Sequence, residues 1–460
     1  MTYPVRMMLL ASFAVFSFHA PKAFADRDPN PQPLERGPLH EAFAMPWQAN
    51  PGANPAINQT PPEPIREEPP DQIPAGKNVK WIPGYWQFDT EKKDFVWVGG
   101  FWREVPDGRR WVPGYWAETS AGNRWVSGHW AAAQEPDYQY VPTPPQNAEA
   151  GPSTPAPDSS SVYIPGSWLY SDNGYAYRPG YWTGYRPGYV WVPSTYIWSP
   201  LGWIFASGYW DYWWATRGLL YPSLYFGEGF RYGYPGYVYR PNYFLRINPL
   251  AGGVYVNPLA SHYYYGNYAG SNLRQAGLTS WADYSTGAYD PLFASARVAN
   301  RGNSQWLANA QGAGGSGMPA FLTATQQLRS SGVQFTQLTS QQRQAQLQSA
   351  QQLVLQSQRF SQQASRNFSA GANNFSRGLA TSNFSPGFNA NSHANFSNGA
   401  NYIPRMNVPG ANFNGLNFAN HPSFSTGGSG FARPSFGFSS SSNSSFSNHS
   451  SSHSGGPNRH

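Results

Sequence analysis

Trp81-Ile82-Pro83-Gly84-Tyr85-Trp86 is the stretch whose reading decides the fold, because the pattern Trp-x-x-Gly-x-Trp returns seven more times. In a first block it recurs as Trp97-Val98-Gly99-Gly100-Phe101-Trp102, Trp111-Val112-Pro113-Gly114-Tyr115-Trp116 and Trp125-Val126-Ser127-Gly128-His129-Trp130. A second block reads Tyr163-Ile164-Pro165-Gly166-Ser167-Trp168, Tyr177-Arg178-Pro179-Gly180-Tyr181-Trp182, Trp191-Val192-Pro193-Ser194-Thr195-Tyr196 and Phe205-Ala206-Ser207-Gly208-Tyr209-Trp210. Successive starts lie 16, 14 and 14 residues apart in the first block and 14 apart throughout the second. A fixed period of this kind marks a supersecondary unit used over and over.

The chemistry of one copy reads in two halves. A Pro-Gly pair suits the central positions of a type II turn, where Gly accepts the positive φ. Between copies stand further turn signals, namely Pro106-Asp107-Gly108, Ala121-Gly122-Asn123, Asp172-Asn173-Gly174, Pro187-Gly188 and Pro200-Leu201-Gly202. They read as hairpin punctuation. The expected class is therefore mainly β, with short-strand hairpin repeats in two blocks, a Gln-rich helical segment and long disordered regions. Residues five apart on a straight strand point to opposite faces, so a bend at the glycine is needed to bring both rings of a copy to one side. Stacked copies would line up the rings in one layer, each worth about 4–6 kcal/mol of burial as an upper bound.

Composition supports a core of rings over an aliphatic one. The sequence has 47 Gly, 43 Pro and no Cys, 17% of it is aromatic and only 12% is charged. Without Cys there are no disulfide staples, thiol nucleophiles or cysteine zinc sites. Arg6 followed by the apolar run 7–20 and Ala23-Phe24-Ala25 reads as a signal peptide over 1–25, cleaved before Asp26. Retention as an anchor is the alternative, although the run is short of the roughly 20 residues that a spanning helix needs. The localisation expected is secreted, periplasmic or cell-surface, with no transmembrane segment after cleavage.

Outward from the repeats, residues 26–78 are rich in proline and read as a disordered spacer, and 134–160 as a similar linker between repeat block one (79–133) and repeat block two (161–211). Residues 212–310 are Tyr- and Gly-rich and read as short strands. Residues 319–366 read as helical, with Pro319 at a first helical position and Thr339 with Gln342 as a capping box. The narrow stripe Leu347, Ala350, Leu353, Val354 suits a helix that is marginal or pairs with a copy of itself. The Asn/Ser/Gly/Phe-rich tail, 367–460, reads as disordered. All 23 acidic residues precede residue 291, whereas 291–460 hold ten Arg and neither Lys nor acid. A basic tail suits contact with anionic polymers.

The eight copies resemble the bacterial YXWGXW, or WXXGXW, repeat family, whose members are typically exported. Residues 212–293, with Trp213-Trp214-Ala215-Thr216-Arg217-Gly218 and Tyr289-Asp290-Pro291-Leu292, also resemble the segment after the repeats in longer members. The resemblance implies an architecture and a compartment more than an activity. Departures from the pattern fall at Tyr163, Tyr177, Ser194, Tyr196 and Phe205; all but Ser194 keep a ring, and Ser194 bears on the bend of its own copy.

No catalytic, cofactor or metal residue is expected. Of nine His, only His129 and His262 stand in sequence that reads as ordered, and neither has a partner at catalytic or metal-ligand spacing. No nucleotide, zinc-protease or nucleophile-elbow fingerprint occurs. The site residues are structural: Trp81, Gly84, Trp86, Trp97, Gly100, Trp102, Trp111, Gly114, Trp116, Trp125, Gly128, Trp130, Gly166, Trp168, Gly180, Trp182, Trp191, Gly208 and Trp210. The function expected is a structural or surface-assembly role in envelope or matrix, without catalysis. The alternative is an exported polysaccharide-binding protein, with Tyr181 and Tyr209 as exposed contacts. Expected partners are envelope or matrix polysaccharide or anionic surface polymers, with self-association through tail or strand edges; nucleic acid is not expected.

Overall fold

The computed structural model describes residues 31–380, except 172, 228–236, 249–251, 269–272, 274–275, 304, 312–320, 326 and 328–333, with side chains as far as 367. The signal peptide, Pro319 and the tail beyond 380 lie outside the described residues. The chain divides into two units, 1–384 and 385–460, and all the described residues belong to the first.

Two motif copies make one hairpin, each copy forming one arm. Hairpin I consists of Val79–Ile82 and Tyr85–Asp89 running up, and Asp94–Val98 and Phe101–Glu104 running back. Its register sets Trp86 opposite Trp97 and Trp81 opposite Trp102. Hairpin II (Arg109–Val112, Tyr115–Thr119, Gly122–Val126, His129–Ala132) pairs Trp116 with Trp125 and Trp111 with Trp130. Hairpin III (Ser161–Ile164, Ser167–Ser171, Gly174–Arg178, Tyr181–Gly184) pairs Trp168 with Tyr177 and Tyr163 with Trp182. Hairpin IV (Tyr189–Val192, Thr195–Ser199, Gly202–Ala206, Tyr209–Tyr212) pairs Tyr196 with Phe205 and Trp191 with Trp210. All eight ring pairs stand 5.1–5.6 Å apart at 48–78°, the tilted and edge-on geometry that the aromatic quadrupole favours.

This pairing explains the spacing. Asp89 and Asp94 close hairpin I around four tip residues, whereas Thr119 and Gly122 close hairpin II around two. The two extra residues turn a 14-residue step into 16. The turn signals divide accordingly: Gly122, Gly174 and Gly202 sit at hairpin tips, while Gly108 and Gly188 connect one hairpin to the next.

The motif glycines correct the expected type II turn. None of them has positive φ; that conformation belongs to the tips and connections, as at Gly202 with φ +133°. What the motif glycine supplies is space beneath the facing ring. A Cβ on Gly114 would stand 2.5 Å from Trp125 Cζ2 and 2.7 Å from Val126 O. Gly208 lies in the same way under Trp191. Ser194 takes the equivalent place in hairpin IV, where the residue facing it is Phe205, which lacks the second ring of an indole.

The rings do not form the single layer expected from stacking. Trp81, Trp102, Trp111 and Trp130, at the open ends of hairpins I and II, share a core with Leu39, Phe43, Trp214, Tyr263, Trp281 and Leu292. Trp86 and Trp97, near the tip of hairpin I, pack separately with Ile65, Leu224 and Tyr239. A buried ion cluster ties the blocks together. Arg103, after the last Trp of hairpin I, grips Asp211, after the last Trp of hairpin IV, at 2.6 and 2.7 Å, and Arg217 stands 3.3 Å from the same carboxylate. All three side chains are buried.

Three further expectations change. From residue 31 on, the proline-rich stretch is packed: Leu39, Ala42 and Phe43 are in the core, and short strands at Gln32–Pro33, Gly37–Pro38, Arg66–Glu67 and Gln72–Pro74 pair with later parts of the chain. Its acceptors find partners that composition cannot show. The region 212–310 has strands but also the helices α1 (Trp281–Gly287), α2 (Pro291–Ala299) and α3 (Gln305–Gln311). Asp290 caps α2 by accepting from Phe293 N at 2.9 Å, with Pro291 at its first position. The Gln-rich helix, α4, spans Ser340–Ala380, so it starts later and ends later than expected; Leu322–Ala324 and Phe335–Gln337 before it are strands.

The capping box of α4 is present. Thr339 N donates to Gln342 Oε1 at 2.9 Å and Gln342 N to Thr339 Oγ1 at 3.2 Å. The helix lies across block one through small and polar residues: Ser357 donates to Gly114 O at 2.6 Å, Ser361 to Trp116 O at 2.7 Å, and Ala350 and Ala364 are buried. Its stripe thus covers the repeats. Among the described residues, no helix is long and apolar enough to cross a membrane.

Candidate functional site

The residues that hold the repeats together come from the proline-rich segments. A polyproline-type chain makes no internal hydrogen bonds, so its carbonyls are free to accept. Indole N–H groups, which only donate, supply the complement. Trp86 Nε1 donates to Glu63 O at 2.8 Å, Trp130 Nε1 to Ala42 O at 3.0 Å, Trp168 Nε1 to Gln146 O at 2.9 Å and Trp182 Nε1 to Thr154 Oγ1 at 3.1 Å.

Two buried glutamates of the first segment go further and occupy equivalent places. Glu67 Oε1 accepts from Trp97 Nε1 at 2.6 Å and Gly100 N at 3.0 Å, while its Oε2 accepts from Gly84 N at 2.9 Å. Glu41 Oε1 accepts from Trp125 Nε1 at 2.8 Å and its Oε2 from Gly128 N at 2.9 Å. In each hairpin the acceptor reads the first Trp and the Gly of the returning motif. In hairpin III the Tyr163 hydroxyl donates to Glu149, which the proline-rich linker contributes. Burial pushes the Glu67 carboxyl above its ordinary pKa, and its three donors pull it back.

Around Glu41 the fold assembles a cluster that sequence spacing could not reveal. Glu41 N donates to the Tyr85 hydroxyl at 3.3 Å, and that oxygen is 3.2 Å from His262 Nε2. His262 Nε2 also stands 3.3 Å from Glu41 Oε1, and its Nδ1 faces Ala260 O. His262 therefore has a carboxylate and a hydroxyl beside it, contrary to the expectation of no partner. His40 accepts from Ala42 N at Nδ1 and faces Pro83 O with Nε2 at 3.0 Å, so it is neutral with its proton on Nε2. Burial pushes its pKa down to about 3. His129 is buried as well, and desolvation pushes it down to about 4. Among the described residues no group of His, Asp and Glu could hold a metal ion. Both oxygens of Glu41 accept from donors fixed to the repeat, so the arrangement holds the side chain in place.

Above this cluster runs a groove of roughly 490 Å³, within the usual range of ligand pockets. Tyr85, Trp86 and Trp116 line one side, Pro61–Pro64 another, and Ser357, Gln358 and Gln362 of α4 the third.

The motif tryptophans stand in the cross-hairpin ring pairs, and the motif glycines lie beneath the facing rings. The two expected glycan contacts differ from each other. Tyr181 is 50% exposed on the outer arm of hairpin III. Tyr209 is half-buried under the Arg109 guanidinium, 4.8 Å from its ring centre. They share no ring contact or hydrogen bond among the described residues.

Eight ring-bearing arms joined in pairs, seven with Gly and one with Ser194 between the rings, are the decisive observation. These are WXXGXW repeats. The family model described as WXXGXW repeat matches residues 94–116, 107–131 and 162–183. Those WXXGXW matches fall in both blocks, and the same pairing register recurs in all four hairpins. No curated protein and no solved structure matches the chain.

Proposed function

We propose that this WXXGXW protein is an exported, non-catalytic structural protein of the cell envelope or extracellular matrix. The observation that carries this reading is that the motif's chemistry is spent inside the fold. Each motif ring faces another across its hairpin, the glycine supplies the space beneath that ring, and many of the indole donors bond the chain's own proline-rich segments. Residues used in this way build a cysteine-free body. The signal-like residues 1–25 support export, and the ten Arg after residue 290 suit attachment to anionic surface polymers.

Fractionation of producing cells, with mass spectrometry of the N-terminus, tests the reading. A chain beginning at Asp26 in envelope, matrix or medium is the expected result. An intact N-terminus in the cytoplasm would overturn it. Deleting 381–460 is expected to weaken surface attachment and reduce its salt sensitivity.

A further inference from the structure

Six of the eight motif copies carry a ring just after the bend residue: Tyr85, Phe101, Tyr115, His129, Tyr181 and Tyr209. The two exceptions, Ser167 and Thr195, belong to different hairpins and yet line the same cavity of about 250 Å³. Ser194, the one departure from Gly at the bend, lines it too. Three substitutions of the repeat pattern by small hydroxyl residues therefore meet in one place, and losing two rings there opens space that the other copies fill.

The rest of the wall has a definite chemistry. Trp47, Trp168, Tyr196 and Trp203 contribute rings, and Gln48, Asn50 and Asn147 contribute amides; none of the residues lining the cavity is charged. Two of its polar atoms are buried without a hydrogen-bond partner among the described residues, Ser167 Oγ and Asn147 Oδ1. Ser167 itself is only 6% exposed. An orphaned buried hydroxyl is costly, and turning it about one bond would present it to a ligand. The ring orientations are fixed by bonds of their own, Trp47 to Ser194 O at 3.3 Å, Trp203 to Thr143 Oγ1 at 3.2 Å and Tyr196 to Trp168 O at 2.8 Å.

We propose that this cavity binds a neutral saccharide unit. Ring faces stack on the apolar side of a sugar, amides and hydroxyls meet its hydroxyl groups, and the absence of lining charge disfavours uronates and acidic peptides. The volume is just under the range of roughly 300–1,000 Å³ typical of larger ligands and suits one sugar ring of a chain. This inference goes beyond the exported structural role: it concerns a cavity between hairpins III and IV and a different measurement.

Tryptophan fluorescence and calorimetry on the full-length protein test it with cellohexaose, mannohexaose and chitohexaose, and with polygalacturonate as the charged comparison. Saturable binding of at least one neutral hexasaccharide at millimolar concentration or below is expected. Ser167→Tyr and Thr195→Tyr restore the ring found in other copies, and each should weaken that binding at least tenfold with an unchanged melting temperature. Should Ser167→Tyr fail to fold, Thr195→Tyr and Trp203→Ala carry the test. Failure of all three neutral probes, equal binding by the Thr195→Tyr variant, or preference for polygalacturonate would each overturn the proposal.

Discussion

Blocks one and two are built from the same motif in the same register, and they bury it to different depths. In hairpins I and II every motif Trp except Trp116 is buried, with Trp81, Trp97 and Trp102 fully so. In hairpins III and IV, Trp168, Trp182, Trp191 and Trp210 are all half-buried. The ring pairs have the same geometry in both blocks, so pairing does not set the depth. What differs is the covering. Block one has the segment 31–78 with its two glutamates, the core around Tyr263 and Trp281, and α4 laid over it, whereas hairpin III has the linker that carries Glu149 and, against its first strand, Tyr289 and α2. A hairpin of this type makes its rings into a surface, and the neighbouring chain decides whether that surface becomes core.

The largest expected break in the comparison is truncation of a ring. Trp97→Ala removes a fully buried indole and should cost about 3–5 kcal/mol, whereas Trp182→Ala in hairpin III should cost under about 2 kcal/mol. Urea melts of the two variants check this, and equal losses would mean that cover adds nothing to pairing. Next comes the glycine. Gly114→Val drives a side chain into Trp125 and the strand behind it, for a loss of about 3 kcal/mol or more. Gly180→Ala meets side-chain atoms of Tyr163 and Glu149 before any backbone, and adds only a methyl group, so it should cost less. Third, Glu67→Ala leaves two glycine N–H groups and an indole without their acceptor and should cost about 1–3 kcal/mol, against about 1 kcal/mol or less for Glu149→Ala.

The contrast also shows through pH. His40, packed against block one, and His129, within it, are neutral when folded, with pKa values pushed down to about 3 and about 4 from an ordinary 6.5. Below pH 6.5 the unfolded chain takes up protons that the folded one does not. Stability should therefore fall as pH drops from 6.5 towards 4, by up to about 1.4 kcal/mol per pH unit for each group. Glu67 has the opposite sign, since its raised pKa lets the folded chain take a proton first. Asp137, Arg109 and Arg110 also act on His129, from the connection after hairpin II and from its first strand. His129→Phe, a ring other copies accept, should flatten the thermal melt's dependence on pH between 6.5 and 4; an unchanged slope would remove His129 from the account.

The sequence is legible where structure is local. The period, the hairpin tips and the Thr339–Gln342 box all depend on residues a few positions apart, and all are present. The role of the motif glycine is not legible, because space beneath a ring and permission for positive φ leave the same residue in the sequence; only the register shows that Gly114 lies under Trp125. The helices α1 and α2 have local signals in Ser280 with Asp283 and in Asp290-Pro291, which the surrounding tyrosines and glycines outweigh. The carboxylate sites are out of reach for another reason. Glu41 meets Trp125 and His262 from 84 and 221 positions away, and a proline-rich context disguises a partnered acid as spacer.

The laying of α4 across block one has a consequence for the order of events during synthesis. Ser361 and Trp116 are 245 residues apart in the chain, and Gln346 reaches Trp81 N across 265. Contacts with such separations close late, because the loop entropy must be met before they return anything. The hairpins can close on their own as they emerge, but block one has no lid until the chain has grown past residue 361. Until then the face of block one that α4 meets stands open to solvent and to whatever escorts the nascent chain, so α4 sets the moment at which that face is covered.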